Sequence, residues 1–178
     1  MHLHPAAEQL ANLLKQRQLR IVFAESCTAG LLAASLGRVP GISNHLCGSM
    51  VTYRNAQKQN WLGVDEQALL DPGPVSELVA CMMAEGVLQR TEEANLSFAV
   101  TGHLGPDAPE QWDGVVFVAR SVRDPLDRSR WVTECRRIEC ETSSRVERQE
   151  EVATKVLLWG IASIPIASSP IADEAEGR

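Results

Sequence analysis

Leu19-Arg20-Ile21-Val22-Phe23-Ala24 is an apolar run of strand length, and Leu31-Leu32-Ala33-Ala34-Ser35-Leu36 is an Ala- and Leu-rich stretch that reads as a helix. Between them lie six small or polar residues, Glu25-Ser26-Cys27-Thr28-Ala29-Gly30. In open α/β sheets a strand passes through such a turn into a helix, and ligands gather outside the carboxyl ends of the strands. This stretch therefore decides the fold class and marks where to look for a site.

Upstream, Leu10, Leu13 and Leu14 stand at helical spacing within residues 6–16. Downstream, Pro40-Gly41 stops the helix that follows the turn. Residues 45–53 read as a second strand, and 55–62 and 65–70 as short helices. Val75, Leu78, Val79, Met82, Met83, Gly86 and Val87 form a near-complete apolar stripe at helical spacing. Pro74 suits the first position of that helix. Residues 96–100, 115–122 and 130–140 read as further strands. Residues 143–161 read as a last helix with Val152, Val156 and Trp159 on one face. Strands 96–100 and 115–122 lie too close for a helical crossover, so they pair as direct neighbours. The expected fold is α/β: a three-layer α/β/α domain with a mixed, mainly five-stranded sheet. It forms a single domain over 1–164, followed by a mobile tail over 165–178 that holds two prolines, small residues and scattered charge.

The 178 residues carry a net charge of −6 and a pI near 5.2. That balance argues against a general nucleic-acid binder, which needs a basic face to displace counterions. No window supplies the roughly 18 apolar residues of a membrane-spanning helix. Met1-His2-Leu3-His4-Pro5 lacks the charged and apolar regions of a signal peptide. A cytoplasmic protein without a membrane or nucleic-acid partner is expected. The five cysteines, Cys27, Cys47, Cys81, Cys135 and Cys140, are odd in number and show no C-x-x-C spacing. They read as small buried hydrophobes and not as a disulfide framework or a zinc site, and Cys27 is not read as a nucleophile.

Three polar clusters interrupt the apolar elements: residues 25–30, residues 52–58 and residues 101–106. Each follows an expected strand, so neighbouring strands would bring them to one edge of the sheet. A serine on a strand-to-helix turn exposes its hydroxyl, and the N–H groups beyond it can bind an oxyanion. It needs a base, and Lys58 is the candidate. Bringing a lysine from a pKa of about 10.4 to about 7 costs roughly 4–5 kcal/mol, which burial or nearby positive charge can supply. From spacing alone the commoner meaning of Ser26 or Thr28 is a helix N-cap, and that of Lys58 is a surface side chain.

The order of the motifs changes this balance. Ala24-Glu25-Ser26-Cys27-Thr28-Ala29-Gly30, Val39-Pro40-Gly41-Ile42-Ser43, Val51-Thr52-Tyr53-Arg54-Asn55-Ala56-Gln57-Lys58, Leu62-Gly63-Val64, Gly73-Pro74-Val75-Ser76-Glu77 and Thr101-Gly102 with Gly105-Pro106 follow one another. In this order the chain, from about residue 8 to residue 160, resembles the CinA C-terminal domain family. The resemblance implies a nicotinamide-nucleotide amidohydrolase, converting nicotinamide mononucleotide to nicotinate mononucleotide and ammonia by a Ser–Lys mechanism. Carried over, Ser26 is the nucleophile, Lys58 the base and Tyr53 an assisting hydroxyl. Glu25, Thr28, Ala29, Gly30, Thr101, Gly102, His103 and Arg145 are implied to bind substrate, with the N–H groups of residues 28–30 holding either the oxyanion or the phosphate. No metal and no cofactor is implied. A small nucleotide is the expected partner, together with further copies of the chain in a homo-oligomer. The family also occurs fused to an N-terminal domain that has no counterpart here, so the stand-alone form is expected.

Four positions depart from the family pattern. Ala29 replaces the first of two glycines, which strains the turn by roughly 1 kcal/mol if positive φ is required. Residues 107–114 replace a glycine-rich, lysine-containing loop and carry Asp107, Glu110 and Asp113, a setting hostile to phosphate. His103 replaces an aliphatic residue. The acid expected shortly before the helical arginine is missing, leaving Arg145 and Arg148 at i, i+3 spacing. These departures leave two alternatives beside the nucleotide amidase: a non-catalytic ligand-binding or regulatory protein of the same fold, and an amidase for another small carboxamide.

Overall fold

The computed structural model describes residues 3–164; the segment read as a tail, 165–178, lies outside the described residues. Helix α1 (Leu3–Arg17) leads into β1 (Ile21–Glu25), then α2 (Leu31–Gly37), β2 (Leu46–Val51), α3 (Asn55–Leu62), α4 (Glu66–Leu70) and α5 (Glu77–Gln89). Strands β3 (Leu96–Gly102), β4 (Val115–Arg123) and β5 (Trp131–Glu139) follow, and α6 (Arg145–Ser163) closes the described chain.

The strands form one mixed five-stranded sheet in the order β2-β1-β3-β4-β5. β1 runs parallel to β2 and β3, and β4 is antiparallel to both β3 and β5. The short link between β3 and β4 makes them a hairpin, as their spacing requires. All five residues of β1 are buried, because this strand lies inside the sheet and both of its faces are covered. Ile21 and Phe23 point into a core shared with Leu10 and Leu14 of α1, Leu32 and Leu36 of α2, and Val156 and Leu157 of α6. Val22 and Ala24 point the other way, into a core built by Leu62, Leu69, Val79, Met83 and Val87 of α3–α5. Alternation along one strand thus produces the α/β/α layering.

Three local expectations are corrected. α5 begins at Glu77, not at Pro74: Ser76 caps it by accepting from the Val79 N–H. The capping serine competed successfully with the proline, and Pro74-Val75 remain outside the helix. The apolar stripe is also rotated. Ala80, Ala84 and Leu88 are buried while Leu78 is exposed, because small alanines let α5 lie close to the sheet. β3 extends two residues further than expected, so Thr101 and Gly102 belong to the strand and not to the loop after it. Of the cysteines, only Cys27 is buried; the other four are half-buried, and all five are free.

Close approach of backbone sets two glycines that position the site. A Cβ on Gly86 would lie 2.0 Å from the Leu62 carbonyl oxygen, so glycine here lets the end of α3 rest on α5. A Cβ on Gly102 would lie 2.5 Å from the Val116 side chain, so glycine here lets β3 stay paired with β4 up to the edge of the cavity.

Candidate active site

β1 ends at Glu25, and the chain turns at Ser26, whose N–H is held by the Val100 carbonyl of β3 at 3.0 Å. This bond fixes the serine above the carboxyl ends of β1 and β3. α3 delivers Lys58 from the neighbouring crossover. Lys58 and Leu62, one helical turn apart, are the buried residues of α3. The Lys58 ammonium nitrogen donates to Ser26 Oγ at 2.9 Å and to the Thr52 carbonyl at 2.8 Å. Lys58 is 2 % exposed and Ser26 9 % exposed. Burial pulls the Lys58 pKa down to about 8, because a charged amine loses its hydration there. Among the described residues no carboxylate forms an ion pair with Lys58 to restore the charge. The lysine is therefore a poised base, with roughly one tenth of it neutral at pH 7.

Cys27, beside the serine, is a different case. Burial pushes its thiol up to about 12, so it carries almost no thiolate and is chemically inert.

Ser26 and Lys58 open into a cavity of about 270 Å³. Thr101, Gly102 and His103 of β3 and the loop after it line one wall, and Tyr53 and Arg145 another. The Thr101 hydroxyl donates to the Pro74 carbonyl at 2.7 Å, tying Pro74-Val75 to the wall. Arg145 is the first residue of α6, capped by Ser144, whose partner Glu147 completes a reciprocal capping box. From that end of α6 its guanidinium reaches the Tyr53 hydroxyl at 2.7 Å and the Gly105 carbonyl at 2.8 Å. Tyr53 is thus brought to the cavity, but its hydroxyl accepts from Arg145 and is hydrogen bonded to neither Ser26 nor Lys58.

Glu25, Thr28, Ala29 and Gly30 are not brought to the cavity. Glu25 is fully buried. Its carboxylate accepts from Thr28 Oγ1, the N–H groups of Gly30, Leu32 and Ala33, and Ser49 Oγ, at 2.8–3.1 Å. It anchors the start of α2, where the helix leaves N–H groups unpaired, and so holds the turn that presents Ser26. The N–H groups of Ala29 and Gly30 are taken by the Ser26 carbonyl and by Glu25. They cannot hold an oxyanion or a phosphate. Those of Cys27 and Thr28 make no hydrogen bond among the described residues. Ala29 does adopt positive φ, 53°, as the family's glycine at this position implied.

The acidic loop is less hostile to an anion than its composition suggests. Asp113 is locked in a two-pronged pair with Arg148, at 2.6 and 2.8 Å, and the guanidinium beside it holds its carboxyl below the usual range. Of the loop's three acids only Asp107 lines the cavity. The i, i+3 pair Arg145 and Arg148 is therefore divided: one guanidinium faces the cavity and the other ties down the loop. Asp107, Asn55, Pro74 and Gly105 also line the cavity, although the sequence assigns none of the four to substrate binding. Ser144-Arg145-Val146-Glu147, a capping-box signature, was the signal that would have put Arg145 at a helix start. A second cavity, of about 910 Å³ between Arg20, His45, Asn95 and Arg128, offers less, since its polar groups are already partnered: Arg20 with Asn44, Asn95 and Glu93, Arg128 with the Glu92 carbonyl, and His45 with the Leu19 carbonyl.

The model of the CinA C-terminal domain matches residues 3–159. A CinA-like protein of Mycobacterium tuberculosis is 40 % identical over 158 residues, covering 89 % of this chain and 36 % of the relative. One from Syntrophotalea carbinolica is 41 % identical over 117 residues, covering 65 % and 28 %. The chain thus spans about a third of the length of the curated relatives it matches. Among solved structures, a competence/damage inducible protein of Agrobacterium tumefaciens superposes with a TM-score of 0.83 at 30 % identity, covering 90 % of this chain and 94 % of that one. A CinA superfamily protein of Klebsiella pneumoniae gives 0.83 at 25 % identity, covering 92 % and 98 %. Motif order, sheet topology and these matches agree, and the chain belongs to the CinA C-terminal domain family.

Proposed function

We propose that the protein is an amidohydrolase that converts nicotinamide mononucleotide to nicotinate mononucleotide and ammonia. One observation carries this reading: a buried, partner-poor lysine lies 2.9 Å from a serine hydroxyl at the mouth of a small cavity. Neutral Lys58 takes the Ser26 proton as Oγ attacks the carboxamide carbon, forming the C–O bond. The N–H of Cys27, which lines the cavity and makes no hydrogen bond among the described residues, is the donor left to meet the developing oxyanion. The C–N bond then breaks, and the proton on Lys58 goes to the departing nitrogen, which leaves as ammonia. Water, deprotonated by the same lysine, hydrolyses the ester on Ser26 and releases the carboxylate product. Arg145 is the cation for the phosphate; Tyr53, hydrogen bonded to it, positions that guanidinium. His103 contacts the substrate from the β3 wall.

Incubating the protein with nicotinamide mononucleotide tests the reading. Ammonia and nicotinate mononucleotide formed in equal amounts support it; turnover of other small carboxamides but not of this nucleotide would sink the substrate assignment.

A further inference from the structure

We propose that Asp107 is a specificity-determining residue whose carboxylate selects a substrate with a positively charged ring. This rests on the nucleotide amidase reading of the cavity and adds what the cavity discriminates against.

The cavity wall carries uncompensated charge. Asp113, the nearest acid of the same loop, is spent on Arg148. Asp107 lines the cavity and makes neither an ion pair nor a hydrogen bond among the described residues. Arg145 also lines the cavity, and both of its hydrogen bonds go to neutral acceptors, the Tyr53 hydroxyl and the Gly105 carbonyl. The wall therefore presents one free carboxylate and one free guanidinium. They are held in a fixed relation, because Arg145 grips the loop at Gly105, two residues before Asp107. A substrate carrying both charges complements such a wall. In nicotinamide mononucleotide the cationic pyridinium bears the carboxamide itself, so the ring charge sits beside the carbon that Ser26 attacks, and the phosphate lies at the far end. A cavity of about 270 Å³ is comparable across with the Debye length at physiological ionic strength, about 8 Å. A charge inside it is felt by every group on the wall. Asp107 is exposed at the rim of the cavity, so a cationic ring meets it as a partly solvated charge pair, and a neutral ring of the same shape forgoes that attraction.

The reduced nucleotide supplies that neutral ring, with carboxamide, ribose and phosphate unchanged. The test is calorimetric titration of the Ser26→Ala protein, which cannot turn either ligand over, with the oxidised and the reduced mononucleotide. The Ser26→Ala/Asp107→Asn protein is titrated alongside. Ser26→Ala is expected to prefer the oxidised form by tenfold or more, and Asp107→Asn to cut that ratio about tenfold, the scale of a partly solvated charge pair. Asp107→Ser serves as a second variant, and unchanged thermal melting excludes misfolding. An unchanged ratio overturns the proposal, as does equal or absent binding of the two ligands. Ammonia release by the wild type is read separately. Release together with an unchanged ratio removes Asp107 and keeps the amidase; a collapsed ratio without release does the reverse.

Discussion

Lys58 donates to Ser26 Oγ across 2.9 Å although 32 residues separate them in sequence. The parallel pairing of β1 with β2 creates the meeting. Thr52, just beyond β2, is bonded to the Glu25 carbonyl through its N–H, and its own carbonyl receives the lysine. The nucleophile's turn and the base's anchor are thus adjacent rungs of one ladder.

The pH dependence follows from burial of the amine. Lys58 acts when neutral, and burial sets its pKa near 8. kcat/KM is therefore expected to rise about tenfold per pH unit below 8 and to level off above it. A pH–rate profile flat from 6 to 9 would contradict Lys58 as the base.

The same burial costs stability. The folded pKa of Lys58, about 8, lies below its ordinary value of 10.5. Between those values the unfolded chain binds more protons than the native one, so this residue's contribution to stability rises with pH across the window and its cost is fully present below 8. Lys58→Met is expected to stabilise the protein at pH 7 by up to about 3 kcal/mol while abolishing activity. Urea titrations at pH 7 and pH 10 should show the gain shrinking at the higher pH.

Glu25 serves the fold and not the substrate. Replacing it with alanine leaves the N–H groups of Gly30, Leu32 and Ala33 without their acceptor, at a cost of about 3 kcal/mol or more. The expected signature is a large drop in melting temperature. A Glu25→Ala protein of wild-type stability but raised KM would restore the substrate-binding role.

Ala29 holds a left-handed conformation, φ 53°. Ala29→Gly should relieve about 1 kcal/mol of strain and raise the melting temperature by a few degrees. A fall in melting temperature would show that the turn carries no such strain.

Arg145 is assigned to the phosphate. Arg145→Met is expected to raise KM for nicotinamide mononucleotide by roughly tenfold or more, the worth of one charged hydrogen bond. The matching riboside, which lacks the phosphate, should be affected much less. Equal losses on both substrates would mean that Arg145 only braces Tyr53 and Gly105.

Sequence patterns revealed the scaffold well and the site unevenly. The apolar run of β1, the short link between β3 and β4 and the small residues after β1 gave the mixed sheet and its layering, because burial on two faces leaves a direct trace in composition. Ser26 and Lys58 were legible only through the order of motifs, since nothing local says that a lysine in a short helix points inward. Glu25 was misplaced for a related reason: a carboxylate beside a reactive serine has the same spelling whether it faces ligand or helix N–H groups. The acids of residues 107–113 were weighed as one charge cluster. Only the fold shows that Arg148 removes Asp113 from the count and leaves Asp107 on the wall.

The most direct test of the central claim is ammonia release from nicotinamide mononucleotide by the wild type, Ser26→Ala and Lys58→Met, measured side by side. Release by the wild type is expected, with a loss of about a thousandfold or more in each variant, as when one member of a catalytic unit is removed. Ser26→Ala releasing ammonia within tenfold of the wild type, or a wild type that releases none, would contradict the claim.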